Sequence, residues 1–365
     1  MTYRHDQWDF RPHRLIVNSH AQTILGIRWP REYAPYQAKQ HQIVLDDGDR
    51  LVLHEDQPVQ AEEGPRESVL LIHGLGGCHQ STYMCRMTEK LVERGYRVFR
   101  LDMRGCGAGE GLAKLPTHSG RSDDIAAALY FMAELHPESP ASAVGFSLGG
   151  TQTLNMLAEA GETRIGNLQR SLVICPPLQL VEVEQHFRTL LGKRYDNFFV
   201  KLLWKQILDR WQLFPELAPA SIPRQPRRLR EIDEMVIAPS GGFKNAEDYY
   251  LKTSPGPKLA SIRQPVTIFS SEDDPVVPVR PLLELPISSS VEVITTPRGG
   301  HLGFLAGRND DPDRRWLDWR IIDWLEAGRT SLGAGKGGER ILVSHTRVRR
   351  DGAATPASGA PSSGC

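Results

Sequence analysis

The sequence predicts an α/β fold in which a mostly parallel, eight-stranded sheet is flanked by helices and carries an inserted helical cap. Apolar strand segments alternate with helical segments from residue 68 to residue 175, a pattern typical of right-handed crossovers between parallel strands. The alternation stops over residues 176–257 and then resumes for two further strands. With 365 residues, of which 40% are apolar, the chain is long enough to bury one large core.

The individual elements follow from the order of apolar residues and turn formers. Alternating apolar residues on both sides of Asp47 and Gly48 predict an opening antiparallel hairpin. The next segments are expected to be strand 68–72, helix 81–93, strand 96–101, helix 121–135, strand 141–145, helix 151–160 and strand 172–175. Strands 265–269 and 291–296 and an amphipathic helix over residues 311–327 complete the predicted core.

Composition divides the chain into four predicted parts. Residues 1–40 are expected to be an N-terminal extension that packs on the core, and residues 41–175 together with 258–327 are expected to form that core. Residues 176–257, which lack strand–helix alternation, are the predicted cap insertion. Residues 328–365 are rich in Gly, Ser, Ala, Pro and Arg and cannot bury enough apolar surface to fold, so we expect a disordered tail.

A serine motif lies between a predicted strand and a predicted helix. Gly145-Phe146-Ser147-Leu148-Gly149 spells G-x-S-x-G, which in the α/β-hydrolase fold is the nucleophile elbow. There a tight turn exposes the serine hydroxyl at the strand tip, and the two glycines leave room for the neighbouring strand and helix. We therefore predict Ser147 as a catalytic nucleophile and the N–H of Leu148, at a helix start, as an oxyanion donor.

The partners of such a serine are expected downstream, with the acid before the histidine. Asp273 and Asp274 directly follow the predicted strand 265–269. Asp274 is the preferred acid because the Asp-Pro step after it gives a rigid exit from the strand, and Asp273 is the alternative. His301 follows the next strand on a glycine-rich loop, and it is the predicted general base and acid.

A second glycine-rich loop, His73-Gly74-Leu75-Gly76-Gly77, follows the strand 68–72. Glycines let the main chain approach a developing negative charge, so we predict the N–H of Leu75 as the second oxyanion donor. His73 is expected to brace this loop by hydrogen bonding rather than to act in catalysis. A phosphate-binding loop is not indicated, because no G-K-[ST] follows.

The insertion falls between the serine and the acid, where this fold carries a cap over its active site. Its most apolar helical piece spans residues 197–208 and holds Phe198, Phe199, Leu202, Leu203 and Trp204. These side chains either line an apolar acyl pocket above Ser147 or pack the cap onto the sheet, and the sequence leaves both possibilities open.

Composition also limits the partners and the cellular location. Equal numbers of basic and acidic residues, 44 each, give no net attraction to nucleic acid or anionic membranes. Five cysteines without a C-x-x-C motif indicate neither a disulfide framework nor a zinc site, and no cofactor or metal is expected. No run of about 18 apolar residues is present, so we expect a cytoplasmic protein with at most transient membrane-surface contact. The sequence indicates no oligomeric state.

Beyond these motifs, the chain resembles the YheT-type branch of the α/β-hydrolases, bacterial relatives of the animal α/β-hydrolase-domain lipases and esterases. The resemblance covers about residues 10–326 and is carried by segments 19–24, 73–77, 102–107, 241–243, 248–250 and 299–304. One departure is Asp102, where asparagine is commoner in the family.

The resemblance implies a cofactor-free serine esterase that cleaves carboxylic esters through Ser147, Asp274 and His301. The expected substrate is a small-molecule or lipid-like ester with an apolar acyl group. Two alternatives are kept. The same acyl-enzyme could transfer its acyl group to another alcohol, or the fold could serve as a non-catalytic ligand-binding protein.

Overall fold

The computed structural model describes residues 8–28, 36–58 and 67–333 of the chain. Its strands are β1 (Lys39–Val44), β2 (Arg50–Asp56), β3 (Ser68–Ile72), β4 (Arg97–Asp102), β5 (Ala141–Phe146), β6 (Leu168–Ile174), β7 (Val266–Ser271) and β8 (Val291–Thr296). They form one sheet in the order β1-β2-β4-β3-β5-β6-β7-β8. Strand β2 is antiparallel to both of its neighbours, and all pairs from β4 to β8 are parallel. The predicted mostly parallel, eight-stranded sheet is thus confirmed.

Helices cover both faces of the sheet. In chain order they are α1 (Ser19–Arg28), α2 (Thr82–Val92), α3 (Ser122–Leu135), α4 (Leu148–Ala160), α5 (Leu180–Phe187), α6 (Gly192–Leu213), α7 (Leu229–Ile232), α8 (Ala238–Ser240), α9 (Ala246–Thr253), α10 (Arg280–Glu284) and α11 (Trp316–Gly333). None of the helices in the described part of the chain combines the length and apolar composition that a membrane crossing requires.

Side chains of the central strands alternate between two apolar layers. On β3, Leu70 and Ile72 pack in the layer that contains α3 and α4, whereas Val69 and Leu71 pack in the layer that contains α2 and α11. All four side chains are fully buried. A parallel strand covered on both faces must be apolar at every position, which explains the unbroken apolar runs in the sequence.

Between β6 and β7 the chain leaves the sheet and forms helices α5 to α9. These helices have an apolar cluster of their own, in which Trp204 and Ile207 of α6 pack against Ile232, Tyr249 and Tyr250. A π-helical turn, Asp233–Ile237, connects α7 to α8.

The last helix differs from its prediction at both ends. It begins at Trp316 instead of residue 311, because the Asp313 carboxylate accepts hydrogen bonds from the Arg315 N–H and from the Trp319 indole and so holds a turn before the helix. It continues to Gly333, six residues into the predicted tail. The rest of that predicted tail, residues 334–365, lies outside the described residues, as do residues 1–7 and 29–35 of the predicted N-terminal extension.

The carboxyl ends of the parallel strands meet at one edge of the sheet. The loops after β3, β5, β7 and β8 hold the four motifs that the sequence singled out, namely the His73 loop, the Ser147 elbow, the adjacent aspartates and the His301 loop. Open α/β sheets bind their ligands outside this edge. The sheet therefore brings together motifs that lie more than 200 residues apart in the sequence.

Candidate active site

Ser147 is the one residue between the end of β5 and the start of α4. Its backbone angles, φ 51° and ψ −116°, are ones that a side-chain-bearing residue rarely adopts. A Cβ at Gly145 would lie 2.8 Å from the carbonyl oxygen of Gly149, and a Cβ at Gly149 would lie 2.6 Å from that of His73. Both glycines of the motif are therefore required by the closeness of neighbouring backbone.

Three side chains form a continuous hydrogen-bonded chain. His301 Nδ1 lies 2.7 Å from Asp274 Oδ2, and His301 Nε2 lies 3.1 Å from Ser147 Oγ. Because an ionised carboxylate can only accept, the proton sits on Nδ1 and leaves Nε2 free to accept from the serine hydroxyl. All three residues are at most 9% exposed. This is the geometry in which a histidine can withdraw the proton of a serine.

The two adjacent aspartates have different partners. The second carboxylate oxygen of Asp274 accepts the N–H groups of Val276 and Val277, at 2.8 and 2.9 Å, which fixes the carboxylate toward His301. Asp273 Oδ1 instead accepts the N–H of Gly300 at 2.9 Å. Of the two candidates from the sequence, Asp274 contacts the histidine side chain and Asp273 holds the backbone of its loop.

The two predicted oxyanion donors lie beside the serine. Leu75 and Leu148 both line the cavity that contains Ser147. A Cβ at Gly74 would lie 3.2 Å from Ser147 Cβ, so the loop after β3 runs directly over the elbow. Leu148 begins α4, where the first N–H groups of a helix have no partner within the helix.

His73 braces this loop from behind. Its Nδ1 bonds to the carbonyl oxygen of Gly74 at 2.8 Å, and its Nε2 accepts the N–H of Met103 at 3.2 Å. Burial lowers the pKa of His73, so the ring stays neutral and Nδ1 carries the proton. The ring ties the loop after β3 to the loop after β4, which is the bracing role that the sequence predicts.

Helix α1 holds the histidine loop, a role that the sequence did not reveal. Thr23 Oγ1 accepts the His301 N–H at 2.9 Å and donates to the Ser19 carbonyl at 2.8 Å. The Gln22 amide bonds both the N–H and the carbonyl of Leu305, at 2.6 and 3.0 Å. Gln22 and Thr23 are 0% and 3% exposed. The sequence feature that could have identified them is their pair of polar side chains within segment 19–24, one of the segments that carry the family resemblance.

Cys175 belongs to the buried apolar core and also lies at the site. Its sulfur, a carboxylate oxygen of Asp274 and a ring nitrogen of His301 lie within 4.8 Å of one another. Burial raises the pKa of the Cys175 thiol well above its usual range. The thiol is therefore protonated at neutral pH and does not compete with Ser147 as a nucleophile.

A second buried group with metal-ligand side chains surrounds Asp102, the residue that departs from the family pattern. His54 Nε2 and His79 Nδ1 lie 3.0 and 2.7 Å from its Oδ2, and the N–H groups of His79 and Ala108 donate to the same carboxylate. The nitrogen and oxygen atoms of this group that could bind a metal ion thus hydrogen-bond to one another. This group joins β2 to the loops after β3 and β4.

The cavity in front of Ser147 is mainly apolar. Its lining includes Leu75, Phe187, Phe199, Leu203, Ile207 and Val277. Of the five apolar residues singled out in the insertion, Phe199 and Leu203 line this cavity. Leu202 packs on Gly76, Trp204 lies in the core of the insertion, and Phe198 is 55% exposed. Phe199 and Leu203 therefore share the cavity with Ser147, whereas Leu202 packs on the loop after β3 and Trp204 packs within the insertion.

The chain is similar to known proteins in sequence and in fold. A family profile described as "alpha/beta hydrolase fold" matches residues 67–307. The YheT protein of Escherichia coli (strain K12) is 30% identical over 324 residues, covering 87% of this chain and 93% of that protein. Phospholipase ABHD3 of Homo sapiens is 25% identical over 281 residues, covering 75% of this chain and 68% of the human protein.

Among solved structures, Est1E from Butyrivibrio proteoclasticus matches with a TM-score of 0.51 and 16% identity. The match covers 80% of this chain and 99% of Est1E. At this level of identity the match shows a shared fold.

Proposed function

The chain belongs to the α/β-hydrolase family, as its motifs indicated, and we propose that it is a serine hydrolase that cleaves carboxylic esters with an apolar acyl group. The enzyme class, carboxylic ester hydrolase, follows from the relatives. The catalytic residues, the acyl-enzyme and the acyl group are our proposal. The observation that carries it is the hydrogen-bonded chain from Ser147 through His301 to Asp274 at the wall of a largely apolar cavity.

The proposed reaction has two halves that share one intermediate. His301 Nε2 takes the hydroxyl proton while Ser147 Oγ attacks the ester carbonyl, and the N–H groups of Leu75 and Leu148 stabilise the oxyanion. His301 then gives the proton to the leaving alcohol oxygen, which leaves an acyl-serine. A water molecule, deprotonated by His301, attacks that ester, and the acid departs as Ser147 regains its proton. Asp274 stabilises the imidazolium in both halves.

The apolar acyl group is inferred from the cavity lining. We propose that residues 176–257 act as the cap and that Phe199 and Leu203 of α6 contact the acyl chain, since both line the cavity with Ser147. Each methylene moved from water into such a cavity stabilises the bound state by about 0.8 kcal/mol, or roughly fourfold in binding. Activity should therefore rise with acyl length until the cavity is filled.

The nucleophile is tested with a fluorophosphonate probe. Ser147→Ala should abolish labelling and ester hydrolysis. Ser119→Ala is the matched control, because Ser119 lines the same cavity and should leave labelling unchanged. Labelling that survives in Ser147→Ala contradicts the assignment of the nucleophile.

The acyl group is tested with p-nitrophenyl esters from acetate to palmitate, assayed with and without an added alcohol. We expect kcat/KM to increase several-fold per carbon before it levels off. A profile that is highest for acetate and decreases with every added carbon contradicts the apolar acyl pocket. Release of a new ester in place of the free acid would identify acyl transfer, and absence of turnover together with absence of labelling would favour a binding protein.

A further inference from the structure

One arginine of the cavity has a guanidinium with no bonded partner among the described residues. Arg210, near the end of α6, lines the same cavity as Ser147. Among the described residues its guanidinium has no hydrogen-bonded or ion-paired partner, and Cys106, Asp49 and Glu110 act on it electrostatically without a hydrogen bond. Burial accordingly lowers the pKa of Arg210, because the desolvated charge has no counter-charge beside it.

Of the four other arginines of the cavity, three are paired with carboxylates and the fourth, Arg228, is exposed. Arg104 binds Asp47, Asp49 and Asp124; Arg188 binds Glu184; Arg230 binds Glu247. Asp49, the carboxylate with the larger electrostatic effect on Arg210, also accepts the N–H groups of Lys114 and Leu115. The carboxylates that bind Arg104, Arg188 and Arg230 are thus already paired, and Arg210 carries its positive charge into the cavity without a bonded carboxylate.

The guanidinium of Arg210 lies on the backbone of the loop after β4. A Cβ at Gly105 would be 2.0 Å from Arg210 Nη2 and 3.1 Å from its Cζ, so the glycine provides the space that the guanidinium fills. Gly105 has φ +65°, a conformation that suits glycine. A planar guanidinium supported in this way presents a fixed set of donors to an anion.

The cavity-lining stripe of α6 changes character along the helix. Phe199 and Leu203 are apolar, whereas Gln206 and Arg210 in the following turns are polar. At the apolar end, Leu202 packs on Gly76, next to the proposed oxyanion donor. Arg210 is eight residues further along, and a rise of 1.5 Å per residue places it about 12 Å away along the helix axis.

We propose that Arg210, assisted by Gln206, forms an anion-binding subsite, and that the preferred substrates are esters with a carboxylate or phosphate group at the far end. The subsite rests on the proposed esterase function and specifies its substrate class. The ester carbonyl lies at Ser147, the apolar part of the substrate lies along Phe199 and Leu203, and the anionic group binds the guanidinium. A charge-assisted contact of this kind increases kcat/KM by roughly 10- to 100-fold.

The first test compares matched substrates. p-Nitrophenyl half esters of dicarboxylic acids, from succinate to dodecanedioate, are assayed beside the corresponding esters whose far carboxylate is methylated. A second series compares acylglycerol phosphates with acylglycerols. In this series the anionic group lies on the alcohol side of the ester. We expect kcat/KM to be roughly 10- to 100-fold higher for the anionic than for the neutral members of one of the two series. The preference should be found at the chain length that reaches from Ser147 to Arg210. Equal rates for anionic and neutral members in both series overturn the subsite.

The second test uses variants. Arg210→Gln should remove the preference and leave hydrolysis of neutral esters within a few-fold of the wild type. Arg188→Gln is the control, since that arginine lines the cavity but is paired with Glu184, and it should keep the preference. A preference that persists in Arg210→Gln contradicts the proposal.

A binding measurement separates the subsite from the catalytic proposal. In a Ser147→Ala background, calorimetric binding of the anionic half ester should exceed that of its methylated partner and weaken with salt, and Arg210→Gln should cancel the difference. If the wild type hydrolyses no ester while this binding difference is present, the catalytic proposal fails and the anion subsite stands. If binding shows no difference, the subsite fails whatever the activity.

Discussion

The hydroxyl oxygen of Thr23 accepts a 2.9 Å hydrogen bond from the backbone N–H of His301. The two chain segments are in close contact there. A Cβ at Gly300 would lie 2.4 Å from the Ser19 carbonyl oxygen, and a Cβ at Gly303 would lie 2.4 Å from that of Gln22. Helix α1 thus sets the position of the backbone that carries the proposed general base.

Thr23→Val should impair catalysis through the position of His301. Valine has nearly the same shape but cannot accept the His301 N–H, which then stays buried without a partner. Small displacements of a reacting group can reduce turnover by about 10²-fold, so we expect kcat to fall by roughly 10- to 100-fold with little change in KM. Steady-state kinetics on a p-nitrophenyl ester measure this effect.

Two variants control for a general loss of stability. Thr23→Ser keeps the acceptor and should restore most of kcat. Thr82→Val removes a hydrogen bond to the Ile27 carbonyl at the opposite end of α1, and it should leave kcat nearly unchanged. If Thr82→Val is as harmful as Thr23→Val, α1 acts as a general anchor and does not position His301 through this bond.

Replacement of the two adjacent aspartates should have unequal effects. Asp274→Asn places an amide against His301 Nδ1 and favours the wrong tautomer, so kcat should fall by about 10⁴-fold. Asp273→Asn can still accept the Gly300 N–H through its amide oxygen, and it should lose far less activity. The comparison requires only kcat values of the two variants, and the reverse ranking would transfer the role to Asp273.

Asp102 should contribute to stability in a pH-dependent way. Burial opposes its ionisation, but hydrogen bonds from His54 and His79 outweigh that effect and hold the pKa of Asp102 well below its usual range. A carboxyl whose folded pKa is depressed stabilises the fold above its unfolded pKa of about 3.9 and loses that contribution as the pH falls further. Asp102→Asn should therefore lower the free energy of unfolding by about 1–3 kcal/mol at neutral pH.

Urea unfolding at neutral pH and at successively lower pH values checks this prediction. The difference between wild type and Asp102→Asn should shrink as the pH falls below the ordinary pKa of an aspartate. Asp123→Asn is the control, because Asp123 is an exposed acid at the start of α3. A difference that stays constant with pH would show that the carboxylate charge of Asp102 is not the cause.

Asp233, in the π-helical turn of the insertion, should behave in the opposite way. Burial raises the pKa of its carboxyl to about 7, and Tyr250 donates a 2.6 Å hydrogen bond to it. Because the folded pKa exceeds the unfolded one, the carboxyl destabilises the fold progressively between about pH 4 and about pH 7. Asp233→Asn keeps an acceptor for Tyr250 and should raise the free energy of unfolding by roughly 2–4 kcal/mol near pH 8.

The same variant should bring little gain near pH 4, where Asp233 is protonated in the folded chain and about half protonated in the unfolded chain. Thermal unfolding of wild type and Asp233→Asn at the two pH values measures the effect. An equal gain at both pH values would trace it to packing and not to ionisation.

The proposed catalytic residues were predictable because each belongs to a motif of adjacent residues. Gly145 and Gly149 indicate the elbow at Ser147. The partners follow in the expected order, first a strand that ends in acids and then a strand that ends in a glycine-rich histidine loop. The structure adds the distances. It also assigns separate partners to Asp273 and Asp274, which a motif cannot do because both acids follow the same strand.

The residues that the sequence did not reveal depend on contacts between distant segments. Nothing next to Thr23 or Gln22 indicates that their partners are His301 and Leu305. Arg210 is one charged residue in a helix that carries several, and only the positions of the acids around it show that it lacks a partner. Local pattern predicts elements and motifs, but it cannot predict which polar groups remain unpaired after folding.

The contact between α1 and the His301 loop also has a consequence for biosynthesis. Thr23 leaves the ribosome before its partner, which is translated 278 residues later. Contacts of such long sequence separation close large loops and form late in folding. The sheet from β1 to β6 can assemble while the chain is still being made, but His301 reaches its place only after β8 and the loop beyond it have emerged. A nascent chain therefore carries Ser147 long before it carries the proposed base, His301, in position.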